Sequence, residues 1–325
     1  MEIKVEVSCV IDVSTIIVSF NTIHLIPDAV KHLRMAAQGL SHEIVFVDNA
    51  SSDFSAELIG QSFSEDKLIA NKTNFGFGRA NNQALPFTHG RYVLLLNTDA
   101  FVAPDTLLKT VAYMDAHPNC GILGVRLEGR DGKLQPCARY FPTPWNLFLN
   151  RTGLGRFFPS VQSVDDMEWD HNSIRSCDWV VGCYYLVRRE VIDQIGLFDP
   201  RYFLYYEEVD HCFAAKKAGW NVVFYPFTTV VHLGGESAKS SGVVTKSGRQ
   251  LSVLQAESEL LFMRKNYGFS GFVAYIFLTL IASLIIVIKG FRKPDAIAIA
   301  GTTWEHTKLF VSLMRRTRLA SMPTR

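Results

Sequence analysis

The chain has 325 residues, of which 48% are hydrophobic and 20% are charged, and its formal net charge is +2. This length and composition suit one large α/β domain with a smaller appendage, and they exclude a largely disordered chain. The charge is uneven, because residues 289–325 contain eight basic side chains and two acidic ones. Basic residues beside an apolar segment suit anionic lipid headgroups. The main body has no basic stripe with stacking aromatics, so we predict no nucleic-acid partner; a homo-oligomer is compatible with the sequence.

The six cysteines are widely spaced and contain no CxxC pair, which is not the pattern of a disulfide framework or a zinc site. We therefore expect reduced thiols in a cytosolic environment. The segment Met1–Phe20 contains four charged residues and lacks the basic start and unbroken apolar run of a signal peptide. We interpret it as an opening strand.

Short apolar runs rich in β-branched residues alternate with stretches of helical length. The runs cover residues 14–20, 43–47 and 91–96, and the stretches between them cover 25–40 and 51–62. This alternation predicts a parallel sheet with helices on both faces, whose ligands bind at the carboxyl ends of the strands.

The second half of the chain is less regular. Residues 104–117 form a further predicted helix, and strand and helix signals resume at 179–187, 207–218 and 221–226. The stretch 135–175 is rich in proline and aromatic residues without clear periodicity, which predicts a long loop or lid on the acceptor side of the binding site.

Two apolar stretches follow near the end of the sequence. Twenty consecutive residues from Phe269 to Ile288 carry no charge, and basic residues flank them on both sides. This length is enough to span a bilayer. Residues 296–314 mix apolar and charged side chains, which indicates an amphipathic, interfacial helix.

Asp48 ends the second predicted strand, where its carboxylate could accept the imide N–H of a uracil or thymine base. The alternative is a helix N-cap, in which Asn49, Ser51 or Ser52 satisfies free amides. The segment Asn74–Asn82 adds a glycine-containing turn into a helix, where backbone N–H groups and Arg79 could meet phosphate. A plain turn is the alternative there.

Asp99 follows a buried strand, at the edge where an α/β sheet binds ligands. Its carboxylate suits Mg²⁺ or Mn²⁺, ions that are usually coordinated by protein carboxylates and substrate phosphate oxygens together. His232 could supply an imidazole to the same ion, which would favour Mn²⁺. A helix cap and a structural histidine are the respective alternatives.

Three acidic residues lie close together at Glu207, Glu208 and Asp210, after a segment rich in aromatics. Aromatic surroundings raise the pKa of a carboxyl group, and a general base works best when it is desolvated and close to the reacting hydroxyl. An acidic first helical turn, favoured by the helix dipole, is the alternative.

The ordered set of motifs resembles the GT-A fold inverting glycosyltransferases of family 2, most closely the rhamnosyltransferase-like bacterial branch. The resemblance covers about residues 13–240. The motifs are Ile-Ile-Val-Ser-Phe-Asn21, Val-Asp48-Asn-Ala-Ser-Ser-Asp53, Asn74-Phe-Gly-Phe-Gly-Arg-Ala-Asn-Asn82, Leu-Asn97-Thr-Asp99, Phe141-Pro-Thr-Pro, Trp179-Val-Val-Gly182, Gly196-Leu-Phe-Asp199, Tyr206-Glu-Glu-Val-Asp210 and His232-Leu-Gly-Gly.

The resemblance implies a role for each candidate. Asp48 would contact the base, Asp99 would bind the metal and diphosphate as the last member of a DxD-type motif, and His232 would assist the metal. Trp179 and Gly182 would lie under the acceptor sugar. The nucleotide would be bound by Ser19, Asn21, Asp48, Asn74, Gly76, Arg79 and Asn97.

Two positions depart from the family pattern. The DxD-type motif here is Asn97-Thr98-Asp99, so only Asp99 is a charged ligand. The usual Glu-Asp pair is Glu207-Glu208, which implies that the base is Glu208, one methylene longer than the common Asp.

The fold implied is a GT-A (Rossmann-like), mostly parallel sheet with helices on both faces, followed by membrane-associated helices. Residues 1–265 would form the catalytic domain, with a nucleotide-binding half at about 1–125 and an acceptor-binding half at about 126–265. Residues 266–325 would form the membrane-associated region. The partners implied are a dTDP- or UDP-sugar donor, with rhamnose favoured, and a lipid-linked glycan acceptor.

Nucleotide sugars are cytosolic, so we expect the enzyme at the cytoplasmic face of the inner membrane. A single span through 269–288 would export the basic tail, which opposes the positive-inside rule. We therefore favour a monotopic attachment over a single span.

Two other functions remain open. A sugar-phosphate nucleotidylyltransferase uses a similar sheet, but it needs a glycine-rich loop with Arg or Lys where this chain has Phe20-Asn21-Thr22. A catalytically silent nucleotide-sugar-binding subunit of a membrane assembly would not require Asp99, Glu208 and His232 together.

Overall fold

The computed structural model describes residues 10–234, 253–291 and 293–325. The first part of the chain alternates strands and helices, as the sequence predicts. Its elements are β1 (Val13–Ser19), α1 (Ile26–Ala36), β2 (His42–Asp48), α2 (Ser55–Ser62), β3 (Lys67–Ala70), α3 (Phe77–Ala84), β4 (Tyr92–Leu96), β5 (Ala100–Val102) and α4 (Thr106–Ala116).

The second part is a mixture of short strands and helices. Its elements are β6 (Cys120–Glu128), β7 (Ala138–Arg139), α5 (Pro144–Thr152), β8 (Arg175–Ser176), β9 (Trp179–Val180), β10 (Tyr184–Arg188), α6 (Arg189–Ile195), α7 (Glu207–Lys217) and β11 (Asn221–His232). Three long helices follow, namely α8 (Val253–Asn266), α9 (Gly268–Gly290) and α10 (Ala296–Arg316).

The local sequence explains the central elements. All five residues of β4 are buried, and β1 and β2 are nearly as enclosed, because helices cover both faces of the sheet. In α1 the buried positions include Ile26, Val30 and Leu33, whose spacing of three and four residues places them on one face. A proline in the first turn starts this helix.

The main sheet has the order β3-β2-β1-β4-β10-β6-β11-β5, and β8 also pairs with β11. The first four strands are parallel. Strand β10 is antiparallel to both of its neighbours, β11 is parallel to β6, and β5 is antiparallel to β11. The α/β fold is confirmed, but the sheet is mixed beyond β4, because β10 enters it in the reverse direction.

This strand order brings several chain segments to one edge. Strands β1, β2, β4 and β11 run in the same direction, so their carboxyl ends lie on the same side of the sheet. The antiparallel β10 begins at that edge, where Tyr184 pairs with Leu96 at the end of β4. The segment just before β10 therefore lies among the strand ends.

The stretch 135–175 contains a helix, so the prediction of an irregular loop is wrong for residues 144–152. The Thr143 hydroxyl accepts the Asn146 N–H, and the Asn146 side chain accepts the Thr143 N–H. This capping box, together with a proline in the first turn, starts α5. The local capping signal is stronger than the weak periodicity.

Helices α8, α9 and α10 pack against the rest of the chain and against one another. Leu260, Phe262 and Met263 of α8 belong to the main hydrophobic core. Among the described residues, α9 is the one helix that is long and apolar enough to cross a membrane. The predicted domain boundary at residues 265 and 266 falls between two helices that share this packing, and it stays a prediction.

Gly76 provides a test of the packing between the two halves. Its φ is +86°, and a Cβ added there would lie 2.2 Å from the Phe203 carbonyl oxygen. We expect Gly76→Ala to lower the free energy of unfolding by at least about 3 kcal/mol, because both backbones must shift.

Gly132→Ala is the matched control, because Gly132 also has a positive φ, +71°, but has open space around its Cβ position. It should cost only about 1 kcal/mol. Denaturant unfolding of both variants gives the two values, and equal losses would contradict the close contact with Phe203.

Candidate active site

The ends of β1 and β2 are joined by side-chain hydrogen bonds. The Ser19 hydroxyl donates to Asp48 Oδ1 over 2.9 Å, and the Ser51 N–H donates to Asp48 Oδ2 over 3.0 Å. Asn21, at φ 54°, accepts the Ser52 N–H at 2.8 Å. The alternative of a helix N-cap at Asn49, Ser51 or Ser52 is wrong, because α2 begins at Ser55 with Phe54 at its N-cap position and no side-chain cap. The contact of Asp48 with a base stays a prediction.

A second group of hydrogen bonds shapes the glycine-containing turn. Asn49 Nδ2 donates to Asn74 Oδ1 at 2.9 Å, and Asn49 Oδ1 accepts the Phe75 N–H at 3.0 Å. Asn74 Oδ1 also accepts the Gly76 N–H at 2.8 Å. Asn49 thus holds the turn beside the end of β2, a role that we did not predict.

Arg79 lies elsewhere. Its Nε donates to the Pro200 carbonyl at 2.7 Å, and its Nη2 donates to the Arg325 carbonyl at 3.0 Å. These contacts direct the guanidinium toward the segment before α7, so they do not support a phosphate contact, and that role stays a prediction.

Asp99 and His232 come together at the edge of the sheet. Strands β5 and β11 pair so that His232 is opposite Ala100, and His232 Nε2 lies 3.6 Å from Asp99 Oδ1. Both side chains are largely buried. Burial lowers the pKa of His232, although the charge of Asp99 opposes that shift. The two side chains that the sequence assigned to one ion are therefore neighbours, and their binding of a metal stays a prediction.

Gln135 fixes the orientation of the His232 ring. Gln135 Nε2 donates to the His232 carbonyl at 2.8 Å, and Gln135 Oε1 lies 2.9 Å from His232 Nδ1. The backbone carbonyl can only accept, so the amide nitrogen must face it and the amide oxygen must face Nδ1. Nδ1 then carries the proton, and the Nε2 lone pair points toward Asp99.

The Asp99 and His232 donor set fits one divalent cation. An oxygen and an imidazole nitrogen 3.6 Å apart can hold Mg²⁺ or Mn²⁺ and leave other positions for phosphate and water. The described residues contain no cluster of three or more His, Cys, Asp or Glu arranged for a metal. An ion here would therefore depend on the substrate for the rest of its ligands.

Glu207, which is buried, and Glu208, which is partly buried, begin α7. Glu207 Oε2 and Glu208 Oε2 are both shielded from solvent and have no hydrogen-bond partner among the residues that the structure describes. They follow Tyr205 and Tyr206, which both have positive φ values, 69° and 70°. Two consecutive left-handed residues are uncommon and indicate a constrained turn.

Burial raises the pKa of both carboxyl groups. For Glu207 the neighbouring Glu208 charge raises it further, whereas for Glu208 the positive charge of Arg139 opposes the shift. A raised pKa and an unpaired oxygen are properties of a general base that awaits a hydroxyl group.

Asp210 differs from its two neighbours. It accepts hydrogen bonds from the Tyr202 hydroxyl at 3.1 Å, Lys265 Nζ at 2.6 Å and Asn266 Nδ2 at 2.8 Å. These partners bind α7 to α8. The contacts indicate a structural role for Asp210 and do not support its predicted catalytic one.

Gly182 and Cys183 lie next to residues of both candidate centres. The Asn97 N–H donates to the Cys183 carbonyl at 3.1 Å, which places this segment beside the Asp99 strand end. A Cβ added at Gly182 would be 3.8 Å from Glu208 Cγ. The short segment Gly182–Cys183 is therefore next to both the strand end that leads to Asp99 and the candidate base.

Trp179 is more enclosed than the acceptor-binding prediction requires. It is only 5% exposed, its indole N–H donates to the Tyr140 carbonyl at 2.9 Å, and the Arg139 guanidinium lies 4.4 Å from its ring centre. Arg139 is itself paired with Asp165. Contact between Trp179 and a sugar stays a prediction. Gly182 lies next to Glu208, and its predicted contact with the acceptor is also untested.

The role of Gln135 can be tested by metal binding. Gln135→Leu removes the acceptor for the Nδ1 proton, so we expect the apparent affinity for Mn²⁺, measured by spin-resonance titration with nucleoside diphosphate present, to fall about 10–100-fold. Gln194→Leu is the control, because Gln194 accepts the Trp220 indole N–H on the surface. Unchanged affinity in the Gln135 variant would show that the ring is oriented by other contacts.

Residues 14–167 match the sequence profile of Glycosyl transferase family 2. The N-acetylglucosaminyl-diphospho-decaprenol L-rhamnosyltransferase of Mycobacterium tuberculosis is 30% identical over 207 residues, which is 58% of this chain and 66% of the relative. The rhamnosyltransferase WbbL of Escherichia coli K12 is 23% identical over 174 residues, 51% of this chain and 64% of the relative. The chain therefore spans just under two thirds of the length of these relatives.

A solved structure shows a similar fold. The mannosyltransferase PcManGT of Pyrobaculum calidifontis, crystallised with GDP-Man and Mn²⁺, matches 95% of this chain and 84% of its own, with a TM-score of 0.52 and 16% sequence identity. This likeness concerns the fold alone. The sequence match over residues 14–167, together with the rhamnosyltransferase relatives, shows that the chain is a glycosyltransferase of family 2, and the structural likeness shows a GT-A fold.

Proposed function

We propose that the chain is an inverting, metal-dependent glycosyltransferase that transfers a sugar, with rhamnose favoured, from a dTDP- or UDP-sugar. The acceptor is a lipid-linked or cell-surface glycan at the cytoplasmic face of the membrane. One observation carries the proposal: Asp99 and His232 converge within 3.6 Å, and Glu208 lies beside Gly182 with a carboxylate oxygen that has no partner among the described residues.

The relatives support the substrate classes. The Mycobacterium tuberculosis relative is named as a rhamnosyltransferase that acts on a sugar linked by diphosphate to decaprenol, and the Escherichia coli relative is also named as a rhamnosyltransferase. Both names support rhamnose as the transferred sugar. The first name supports a polyprenyl-diphosphate-linked acceptor, which is also consistent with the apolar helix α9.

The chemistry follows from the position of Glu208. Its carboxylate takes the proton of the acceptor hydroxyl, and the acceptor oxygen then attacks the anomeric carbon from the face opposite the nucleoside diphosphate. The new carbon–oxygen bond forms as the bond to the diphosphate breaks. A single displacement inverts the anomeric centre, and no protein nucleophile is required.

A divalent cation held by Asp99 and His232 would counter the negative charge of the leaving diphosphate. Gln135 keeps the Nε2 lone pair of His232 directed at that position. Asp48, Ser19 and Asn21 at the neighbouring strand ends are the proposed contacts for the nucleoside.

A catalytically silent binding subunit is the alternative from another class. It gives no reason for Glu207 and Glu208 each to keep one shielded carboxylate oxygen without a hydrogen-bond partner among the described residues, because a buried polar atom without a partner destabilises a fold.

Asp99→Asn tests the metal site. The variant keeps the shape of the side chain but removes its charge, so we expect donor binding to weaken and turnover to be lost. The measurement is nucleoside diphosphate release from a panel of dTDP- and UDP-sugars with a polyprenyl-diphosphate-linked acceptor. Chelation by EDTA should have the same effect on the unchanged enzyme, and near-full activity in EDTA would rule out metal dependence.

Glu208→Gln tests the base. Turnover should fall by about 10²–10⁴ while donor affinity is nearly unchanged. Burial raises the pKa of Glu208. As the pH is lowered, kcat/KM of the unchanged enzyme should therefore start to fall at a pH above the ordinary pKa of glutamate. The Glu208→Gln variant should not show this fall.

Glu207→Gln is the control, since burial also raises the pKa of Glu207, which is one position away from the family's base. It should lose less activity than Glu208→Gln. The assignment is wrong if the Glu207 variant loses more turnover while both variants remain folded.

A further inference from the structure

Helix α9 has two different faces. Six large apolar side chains, each 42–62% exposed, recur at intervals of three and four residues and therefore lie on one face. They are Phe269, Val273, Phe277, Leu280, Leu284 and Ile288, here called the α9 stripe. An apolar surface of this length exceeds what soluble monomers usually expose.

The opposite face of α9 is docked through polar contacts. Arg151 of α5 donates to Glu259 of α8 at 2.7 Å, to the Thr279 hydroxyl at 3.2 Å and to the Tyr275 hydroxyl at 3.3 Å. The Tyr275 hydroxyl also donates to Glu259. Tyr275 and Thr279 are buried near the middle of α9.

This ion pair is incompatible with a span through α9. If α9 crossed a bilayer, the middle of the helix would lie at the centre of the hydrocarbon layer. Arg151, Glu259 and the attached catalytic elements would then be drawn to the same depth, where charges are expensive and lipid-exposed irregular backbone is excluded.

The chain after α9 also returns to the catalytic side. Helix α10 packs back on α9, with the rings of Phe310 and Tyr275 5.6 Å apart. Beyond α10, the Thr324 N–H donates to Glu257 of α8 at 2.6 Å, and the Arg325 guanidinium lies 5.0 Å from the Phe203 ring centre. Both ends of the α9 and α10 pair therefore contact the catalytic part of the chain.

A second exposed apolar group lies beside α9. Phe157 and Phe158 are 62% and 41% exposed, and they lie between Leu154 and Val161, which pack with Ala282 of α9 in one apolar cluster. Basic side chains accompany this surface. The Arg156 guanidinium lies 4.7 Å from the Phe157 ring centre, and Lys289 and Lys293 follow the stripe.

We propose that the α9 stripe and residues 157–158 form one surface that inserts into the interfacial layer of an anionic bilayer, with α9 parallel to the membrane plane. The apolar stripe faces the acyl chains, and the flanking basic side chains face anionic headgroups. This inference deepens the proposed function, on which it rests for the lipid-linked acceptor.

The same contacts bring the catalytic carboxylates close to that surface. Tyr206, directly before Glu207 and Glu208, is partly buried beside Glu259, and burial, followed by the Glu259 charge, raises the pKa of its hydroxyl. Glu259 in turn binds Tyr275 of α9. An acceptor whose lipid lies in the bilayer would therefore present its sugar near the candidate base.

Depth measurements on the full chain test the orientation. Cysteines that replace Phe269, Phe277, Leu284 and Ile288 one at a time carry nitroxide spin labels, and the protein is bound to vesicles of phosphatidylglycerol and phosphatidylcholine. We expect all four labels to lie about 5–10 Å into the boundary between headgroups and acyl chains. A span would instead place Phe277 deepest and would separate Phe269 and Ile288 by about 30 Å across the bilayer.

Two further measurements complete the test. Phe277→Ser with Leu284→Ser should weaken partition into these vesicles on the order of tenfold or more, whereas Leu108→Ser, at a 44% exposed leucine on α4, should not.

A cysteine at Ser321 in sealed cells should resist an impermeant reagent added from outside. Labelling from outside, or dipolar coupling between labels at Phe277 in a dimer without lipid contact, would overturn the proposal. None of these readouts needs turnover, so they fail independently of the proposed activity.

Discussion

The antiparallel insertion of β10 between β4 and β6 is the constraint on which the rest of the structure depends. In the sheet, β10 joins the four parallel strands on one side to β6, β11 and β5 on the other. It starts at the edge where the parallel strands end. Because the chain enters β10 from that edge, Gly182 and Cys183 lie next to Glu208 and to the strand end that leads to Asp99. A fully parallel strand in this place would have put the same residues at the opposite edge.

The three acidic residues at the start of α7 differ in their hydrogen-bond partners more than in their burial. Asp210 has three hydrogen-bond donors, including Lys265, and so stabilises the junction of α7 and α8. Glu207 and Glu208 have raised pKa values, so their ionised forms are less favourable in the folded state than in the unfolded one. Their contribution to stability is fully present below the unfolded pKa and is lost as pH rises from that value through the raised folded pKa. The fold thus retains two carboxyl groups whose ionised forms are unfavourable, at the position proposed for the base.

The features that depend on the local pattern of apolar and polar residues were mostly predicted from the sequence. The buried runs of β1, β2 and β4 and the positions of Asp48, Asp99 and His232 at strand ends follow from periodicity and polarity. The reversed direction of β10 did not, because direction depends on pairing with distant strands. Gln135 was missed for the same reason, since its partner is 97 residues away and a lone glutamine carries no local signal. The contacts of Arg79 with two backbone carbonyls could not be predicted either, because tertiary packing sets those partners.

Composition alone could not distinguish a spanning helix from a docked one, because both need a long uncharged run. The deciding side chain, Arg151, lies more than a hundred residues earlier and faces α9 only after folding. Arg151 and Glu259 both lie close enough to Tyr206 for their charges to act on its hydroxyl. Tyr206 is the second of two consecutive left-handed residues before the candidate base. Such residues cost roughly 1–3 kcal/mol each, and they persist where surrounding contacts hold them. Here those contacts come from α8 and α9, including the Phe262 ring 5.3 Å from that of Tyr206. The helix that we place at the lipid surface is therefore also a support of the catalytic turn, and the two functions share one buried network.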